Sequence, residues 1–260
     1  MKNPGETLFS AAHNHIWNLH NSITFFYKSK LAPPVFIYQM GKVGSMSIFD
    51  SLRKQYKGIA IHSHSFSKEH STPLVRKLYQ HSIEKGKPLK VISPIREPIG
   101  RNVAAFFENF EEITGEKYES SAFKLDELKT FFLERYNHSI PLKWFDNHIL
   151  SNFGIDVYAT PFPEEGYAIY QKDNIELLVI KINLPDEIKS NVLAEFTGLE
   201  KFTLFPSNIG HNKEYASTYR DFVNNVKFPE AYLNSMCDSK YFSHFYSPEA
   251  IKAVRDKWSD

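Results

Sequence analysis

The fold is decided by VFIYQMGKVGSMS, residues 35–47. Its first part, Val35–Met40, is rich in β-branched and aromatic residues, which predicts a strand. Its second part, Gly41–Ser47, is dominated by glycine and serine, which predicts a short loop. The next residues predict a helix to about Gln55, because apolar side chains recur at helical spacing: Met46, Ile48, Phe49 and Leu52.

The same alternation continues along the chain. A second strand is predicted at Gly58–His62 and a third within Pro88–Ile95. Helices are predicted at Thr72–Lys85 and from Pro98 onward, where proline suits the first helical turn. Alternating strands and helices favour an α/β fold with a mainly parallel central sheet.

The second half continues this pattern less regularly. A helix is predicted at Phe123–Tyr136, and strands at Ile155–Ala159, Gly166–Gln171 and Leu177–Ile182. The last of these begins with the fully apolar run Leu177-Leu178-Val179-Ile180, as expected for a central strand. Beyond Pro206 we expect helices and loops.

Length and composition favour one domain. The chain has 260 residues, of which 42% are hydrophobic and 23% charged, as in ordinary globular proteins. The pair Pro33-Pro34 separates an N-terminal arm, residues 1–33, from a single domain, residues 34–260, with an inserted helical unit.

Charge and cysteine content exclude several classes of function. The net charge is +1, from 31 basic and 30 acidic residues, so we expect no nucleic acid partner. Cys237 is the single cysteine, which leaves no intrachain disulfide and no zinc spacing. The sequence contains no apolar run of about 18 residues, so no transmembrane span is predicted. We expect a cytoplasmic protein, in which the mildly amphipathic Ile16–Tyr27 packs on the domain or touches the inner membrane peripherally.

The loop Gly41–Ser47 lies where anions bind. Backbone N–H groups at a helix N-terminus point at the ligand, and the helix dipole favours negative charge. Glycines allow close approach, Lys42 adds a cation, and Ser45 and Ser47 add hydroxyl groups. The pattern is neither a Walker A loop nor Gly-x-Gly-x-x-Gly. By itself it is nearly as well explained by an ordinary turn between a strand and a helix.

A second anion-binding element follows the third strand. Arg96 would lie at the carboxyl end of that strand, the edge at which doubly wound sheets bind ligands. Its planar guanidinium can hold two phosphate oxygens at once. The alternative is a surface arginine paired with Glu97.

The two elements together resemble the nucleotide loops of sulfotransferases. Lys42–Ser47 is similar to their 5′-phosphosulfate loop, and Arg96-x-Pro98-x-x-Arg101 to their 3′-phosphate motif. Over about residues 34–258 the chain resembles the bacterial capsular polysaccharide synthesis protein family, which is sulfotransferase-like. Three further segments carry this resemblance: Trp144–Asp146, Gly154–Phe162 and Phe245–Glu249.

The resemblance implies a P-loop-like sulfotransferase fold and 3′-phosphoadenosine 5′-phosphosulfate as the donor, with no metal required. The residues implied on the 5′ side are Gly41, Lys42, Val43, Gly44, Ser45, Met46 and Ser47. Arg96 is implied on the 3′-phosphate. Sulfotransferases usually place a serine eight residues after this arginine, and here the position is Ala104. Asn102 or Ser93 could supply the missing contact.

Two histidines are candidates for the general base. His62 and His64 are two residues apart at a predicted strand end, so both face the same side. Histidine, with a reference pKa of about 6.5, suits this role near neutral pH. The pair resembles the His-x-His of heparan sulfate 2-O-sulfotransferases, which implies His64 as the base, His62 as secondary and Lys42 as a cation for the reaction. A structural histidine pair is the alternative, as are Glu108 and Glu111 as bases.

Three functions are compatible with these patterns. The first is sulfuryl transfer from the nucleotide donor to a saccharide hydroxyl, in capsule or surface polysaccharide synthesis. The second is a P-loop kinase-like phosphotransferase, which the absence of a Gly-Lys-Ser/Thr ending disfavours. The third is a non-catalytic nucleotide-binding module. A late loop at Asn208–Lys213 is expected near the nucleotide, with a surface turn as the alternative.

Overall fold

The computed structural model describes residues 23–69, 71–117, 123–207 and 215–260. Its strands are β1 (Val35–Tyr38), β2 (Ala60–Ser63), β3 (Leu89–Ile95), β4 (Tyr167–Lys172) and β5 (Ile175–Lys181). They form one five-stranded sheet in the order β2-β1-β3-β5-β4. β4 is antiparallel to β5, and the other neighbours are parallel. The predicted α/β class with a mainly parallel central sheet is confirmed.

Helices cover both faces of the sheet. A helix over residues 23–31, α1, precedes β1. π-Helical turns extend two of the others, at Gln80–Glu84 after α3 and at Phe145–Leu150 between α7 and α8. The remaining helices are α2 (Ser45–Gln55), α3 (Pro73–Tyr79), α4 (Pro98–Glu108), α5 (Phe110–Thr114), α6 (Leu125–Arg135), α7 (Ile140–Trp144), α8 (Ser151–Phe153), α9 (Asp186–Thr197), α10 (Ala216–Asn225), α11 (Glu230–Cys237), α12 (Lys240–Phe245) and α13 (Pro248–Trp258).

The core lies on both sides of the sheet because side chains alternate along each strand. Val35 and Ile37 of β1 pack with α2 and α9 on one face. Phe36 and Tyr38 face the larger, aromatic-rich core formed with the helices of the other face. The short strand β1 is therefore buried on both faces, and its carboxyl end leads directly into the loop before α2.

The strand predicted at Ile155–Ala159 is wrong. Ile155 and Val157 are buried, so the alternation that suggested a strand is a real burial pattern. The backbone turns there instead, because Asp156 Oδ1 accepts a hydrogen bond from the N–H of Tyr158 at 2.9 Å. Such local bonds to aspartate side chains compete with strand pairing.

Most of the predicted N-terminal arm, residues 1–22, lies outside the described residues. The described part of the arm forms α1, which has an exposed apolar surface at Ile23, Phe26 and Tyr27. In the described ranges, no helix is both long enough and apolar enough to cross a membrane.

Candidate functional site

The loop after β1 has an unusual backbone. Gly41, Lys42 and Gly44 have φ angles of 83°, 58° and 65°. Glycine adopts this left-handed region freely, whereas for Lys42 it costs about 1–2 kcal/mol. The surrounding structure must offset that cost.

Two arginines hold the loop in this conformation. Arg101, buried in α4, donates from Nε to the carbonyl of Gly41 at 3.1 Å and from Nη2 to the carbonyl of Met40. Arg96 donates from Nη1 to the carbonyl of Lys42 at 3.3 Å. In a trans peptide the N–H points opposite to the C=O. The N–H groups that follow Gly41 and Lys42 therefore point away from the arginines.

The N-terminus of α2 adds further donors to the loop. Gly44 is the residue before the helix, and no described side chain caps it. The first N–H groups of a helix have no partner within the helix. Together with the positive end of the helix dipole, they favour an anion at this point.

A cavity of about 580 Å³ opens over the loop. It lies beyond the carboxyl ends of β1, β2 and β3, where parallel sheets bind ligands. The residues that form its wall are Gln39, Met40, Gly41, Lys42, Gly44, Ser45, Met46, Ser47, His62, His64, Arg96, Arg101, Ala105, Glu108, Asn109 and Ser207.

The contacts of His64 indicate which of its ring nitrogens carries the proton. Its Nδ1 lies 2.8 Å from the carbonyl oxygen of Gln39, and because a carbonyl only accepts, Nδ1 carries the proton. In the neutral ring the lone pair is then on Nε2, for which the described residues offer no hydrogen-bond partner. The amide nitrogen of Gln39 also lies 3.0 Å from Nδ1. Because the amide nitrogen of Gln39 and the protonated Nδ1 of His64 are both donors, this contact is not a hydrogen bond.

His62 has a different environment. Its Nε2 lies 2.9 Å from Ser45 Oγ and 3.1 Å from the amide nitrogen of Gln39. That amide only donates, so Nε2 of His62 accepts. Burial, and to a lesser extent the charge of His64, lower the pKa of His62 to about 4, against an opposing effect of Asp50. His62 is therefore uncharged at neutral pH and holds Ser45 and Gln39 in place.

Gln39 connects the loop to both histidines, and the sequence did not indicate it as a site residue. Its Oε1 accepts a hydrogen bond from the N–H of Gly41, its amide nitrogen donates to His62, and its carbonyl accepts from His64. The side chain is buried. A polar residue at the end of an otherwise apolar strand was the one signal for it.

Lys42 forms an ion pair across the cavity. Its Nζ lies 3.3 Å from Glu108 Oε2. The hydroxyl of Tyr215 donates to the same oxygen at 2.5 Å, and its pKa is raised, chiefly by burial and then by this bond. Glu108, one of the two alternative bases, is therefore engaged by a cation and a phenol. The other, Glu111, is exposed on α5 and does not line the cavity.

Most of the predicted site residues come together in this cavity. Val43 and Asn102 do not, since both side chains are fully buried. Asn102 donates to the carbonyl of His138 at 3.2 Å and accepts from Arg101 at 2.9 Å, so it supports the arginine that holds the loop. Ala104 is also buried, and its neighbour Ala105 lines the cavity instead. The late loop at Asn208–Lys213 lies outside the described residues.

Over the described ranges, no group of three or more His, Cys, Asp or Glu side chains is arranged to hold an ion.

Comparison with known proteins gives one match. A family model described as putative capsular polysaccharide synthesis protein matches residues 123–247, a little under half of the chain. No curated protein and no solved structure matches the chain. Of the described residues that line the cavity, only Ser207 falls within the matched segment. The match therefore carries no information about the loop, the arginines or the histidines.

Proposed function

We propose that the protein transfers a sulfuryl group from 3′-phosphoadenosine 5′-phosphosulfate to a saccharide hydroxyl. The observation that supports the proposal is the presence in one cavity of a loop at a helix N-terminus, two arginines and a histidine whose Nε2 has no hydrogen-bond partner among the described residues. The loop supplies N–H groups and Lys42 for the 5′-phosphosulfate. Arg96 supplies a guanidinium for the 3′-phosphate.

The proposed reaction is a single displacement at sulfur. The acceptor oxygen forms a bond to sulfur while the bond between sulfur and the 5′-phosphate oxygen breaks. The acceptor proton passes to His64 Nε2, and adenosine 3′,5′-bisphosphate leaves. Negative charge grows on the bridging phosphate oxygen, where Lys42 and the N–H groups of the loop stabilise it.

The saccharide acceptor is supported by the description of the matching family, which names capsular polysaccharide synthesis. The phosphotransferase alternative lacks comparable support. Glu108 is the one carboxylate among the described residues that line the cavity, and it is paired with Lys42. The strand β5 leads into Lys181-Ile182-Asn183, which offers no acid to hold magnesium.

The proposal is tested by incubating the full chain with the sulfate donor and a panel of neutral and acidic oligosaccharides, in the presence of EDTA. We expect release of adenosine 3′,5′-bisphosphate that depends on a saccharide, and its loss in His64→Ala. Consumption of magnesium-ATP with the sulfate donor left intact would favour the phosphotransferase instead.

A further inference from the structure

A second cavity, of about 890 Å³, lies beyond the end of β5. Its wall is built from the turn after Tyr158, from Lys181 and Asn183, and from the junction of α12 and α13 at Tyr246. None of these residues lines the cavity over the loop Gly41–Ser47. Among the described residues, the two cavities therefore have separate walls.

Ile182 lies between the two cavities. Its N–H donates to the carbonyl of Ile95 at 3.0 Å, so it continues the pairing of β5 with β3. On the side of the loop Gly41–Ser47, a Cβ placed on Gly44 would lie 3.8 Å from Cγ2 of Ile182. On the other side, its sequence neighbours Lys181 and Asn183 line the second cavity. Ile182 therefore adjoins both the loop Gly41–Ser47 and the wall of the second cavity.

Aromatic rings form much of the second cavity. Phe162 and Tyr246 are partly exposed in its wall, and Tyr158 stands beside them. Phe245 supports this wall from within, with its ring centroid 4.9 Å from that of Phe162. Flat, partly exposed rings beside hydroxyl and amide groups suit sugar rings, which have apolar faces and polar edges.

Segments that are distant in sequence converge on this cavity. Its wall includes residues from two segments that carry the family resemblance, Gly154–Phe162 and Phe245–Glu249. Neither segment contributes a described residue to the cavity over the loop Gly41–Ser47. The third such segment stands behind them, with the ring of Phe145 4.9 Å from that of Phe245. The match over residues 123–247 also spans most of this wall.

Lys181 gives the cavity a cation. Its Nζ lies 5.0 Å from the centre of the Tyr246 ring and 5.5 Å from that of Phe162. Burial lowers the pKa of its ammonium group. Within the described residues, no carboxylate is near enough to pair with Lys181; Glu164 and Glu249 are exposed. A partly desolvated cation that has no counter-ion among the described residues is stabilised by an anionic group of a ligand.

We propose that this cavity binds a saccharide that carries an acidic group, with its sugar rings on Phe162 and Tyr246 and its acid on Lys181. The inference concerns binding and goes beyond the proposed transfer. Only the role of this saccharide as the acceptor rests on the proposed function. In that role, the second cavity holds the chain while one hydroxyl reaches His64.

Calorimetric titration of the full chain with tetragalacturonic acid and with maltotetraose tests the proposal. We expect the acidic tetrasaccharide to bind at least about 10-fold more tightly, the scale of a charge-assisted hydrogen bond. Lys181→Met should abolish that preference, whereas Lys57→Met, an exposed lysine outside the cavity, should retain it. Phe162→Ala should weaken the binding of both tetrasaccharides.

Two further measurements separate the possible failures. In the wild-type protein, added salt should weaken the binding of tetragalacturonate and leave the binding of maltotetraose unchanged. This result does not depend on the folding of any variant. Lys181→Met should bind adenosine 3′,5′-bisphosphate as the wild type does, so the two sites are judged separately. No binding of either tetrasaccharide, equal affinity for both, or an unchanged preference in a folded Lys181→Met would overturn the proposal.

Discussion

Replacing Glu108 by glutamine tests whether this residue acts as the ion-pair partner of Lys42 or as the general base of the proposed reaction. Glu108 Oε2 is 3.3 Å from Lys42 Nζ, and the two side chains are 37% and 29% exposed. Solvent screens such a pair, so it contributes about 0.2–1 kcal/mol. A donor that binds the loop must compete with this carboxylate for Lys42. Removing the negative charge should therefore favour the donor.

We expect Glu108→Gln to bind adenosine 3′,5′-bisphosphate about 1.4- to 5-fold more tightly, the factor that corresponds to this energy. Turnover should be retained, because the amide can still bond to Tyr215. Lys42→Ala should weaken binding roughly 10- to 150-fold, since a charge-assisted hydrogen bond contributes about 1.5–3 kcal/mol. The double variant should match Lys42→Ala, because Glu108 acts on the donor through Lys42.

Calorimetry gives these affinities, and single-turnover assays with the sulfate donor give the rates. Glu111→Gln is the matched control, since Glu111 is exposed and does not line the cavity. If Glu108→Gln instead leaves affinity unchanged and lowers turnover about 10²- to 10⁴-fold, Glu108 is the base and the reasoning is refuted.

Three other perturbations test the remaining parts of the site. His64→Ala should keep nucleotide affinity and lose turnover about 10²- to 10⁴-fold in the same assay, and near-normal turnover would count against His64 as the base. Arg96→Lys should lose discrimination between nucleotides with and without a 3′-phosphate, measured by calorimetry, because a point charge cannot replace a planar fork. The pKa of His62 is lowered to about 4, so its stabilising effect is full above about pH 6.5 and is lost as the pH falls towards 4. Urea unfolding over this window should show a loss of roughly 1–3 kcal/mol that is smaller in His62→Gln, and equal losses in both proteins would contradict the assignment.

The sequence predicted the parts of the fold that depend on local pattern. The strand, loop and helix from Val35 to Gln55 have a short-range signature, and the structure forms them nearly where they were expected. The pattern failed at Ile155–Ala159, because burial alternates there while Asp156 turns the backbone. Periodicity reports burial, and it cannot report a side chain that competes for the backbone N–H.

The candidate site was predicted in part. His62, His64, Lys42 and Arg96 line one cavity, since parallel strands bring their carboxyl ends to one edge. The role of Gln39 could not be foreseen, because it depends on simultaneous contacts with Gly41 and both histidines.

Other features could not be predicted from the sequence because they depend on contacts between residues that are distant along the chain. Arg101 belonged to a recognised motif, but its burial against the carbonyls of Met40 and Gly41 depends on how α4 packs on the loop. The second cavity is still less accessible to sequence reasoning, because its wall joins Tyr158, Lys181 and Tyr246 from separate segments.

The central claim is that the loop Gly41–Ser47 and Arg96 bind a nucleotide with a 3′-phosphate. The most direct test is calorimetric titration of the full chain with adenosine 3′,5′-bisphosphate, adenosine 5′-phosphate and magnesium-ATP. The account predicts that the bisphosphate binds without magnesium and at least about 10-fold more tightly than the monophosphate, because Arg96 meets the additional phosphate. Absence of binding by the bisphosphate, or a preference for magnesium-ATP, would contradict it.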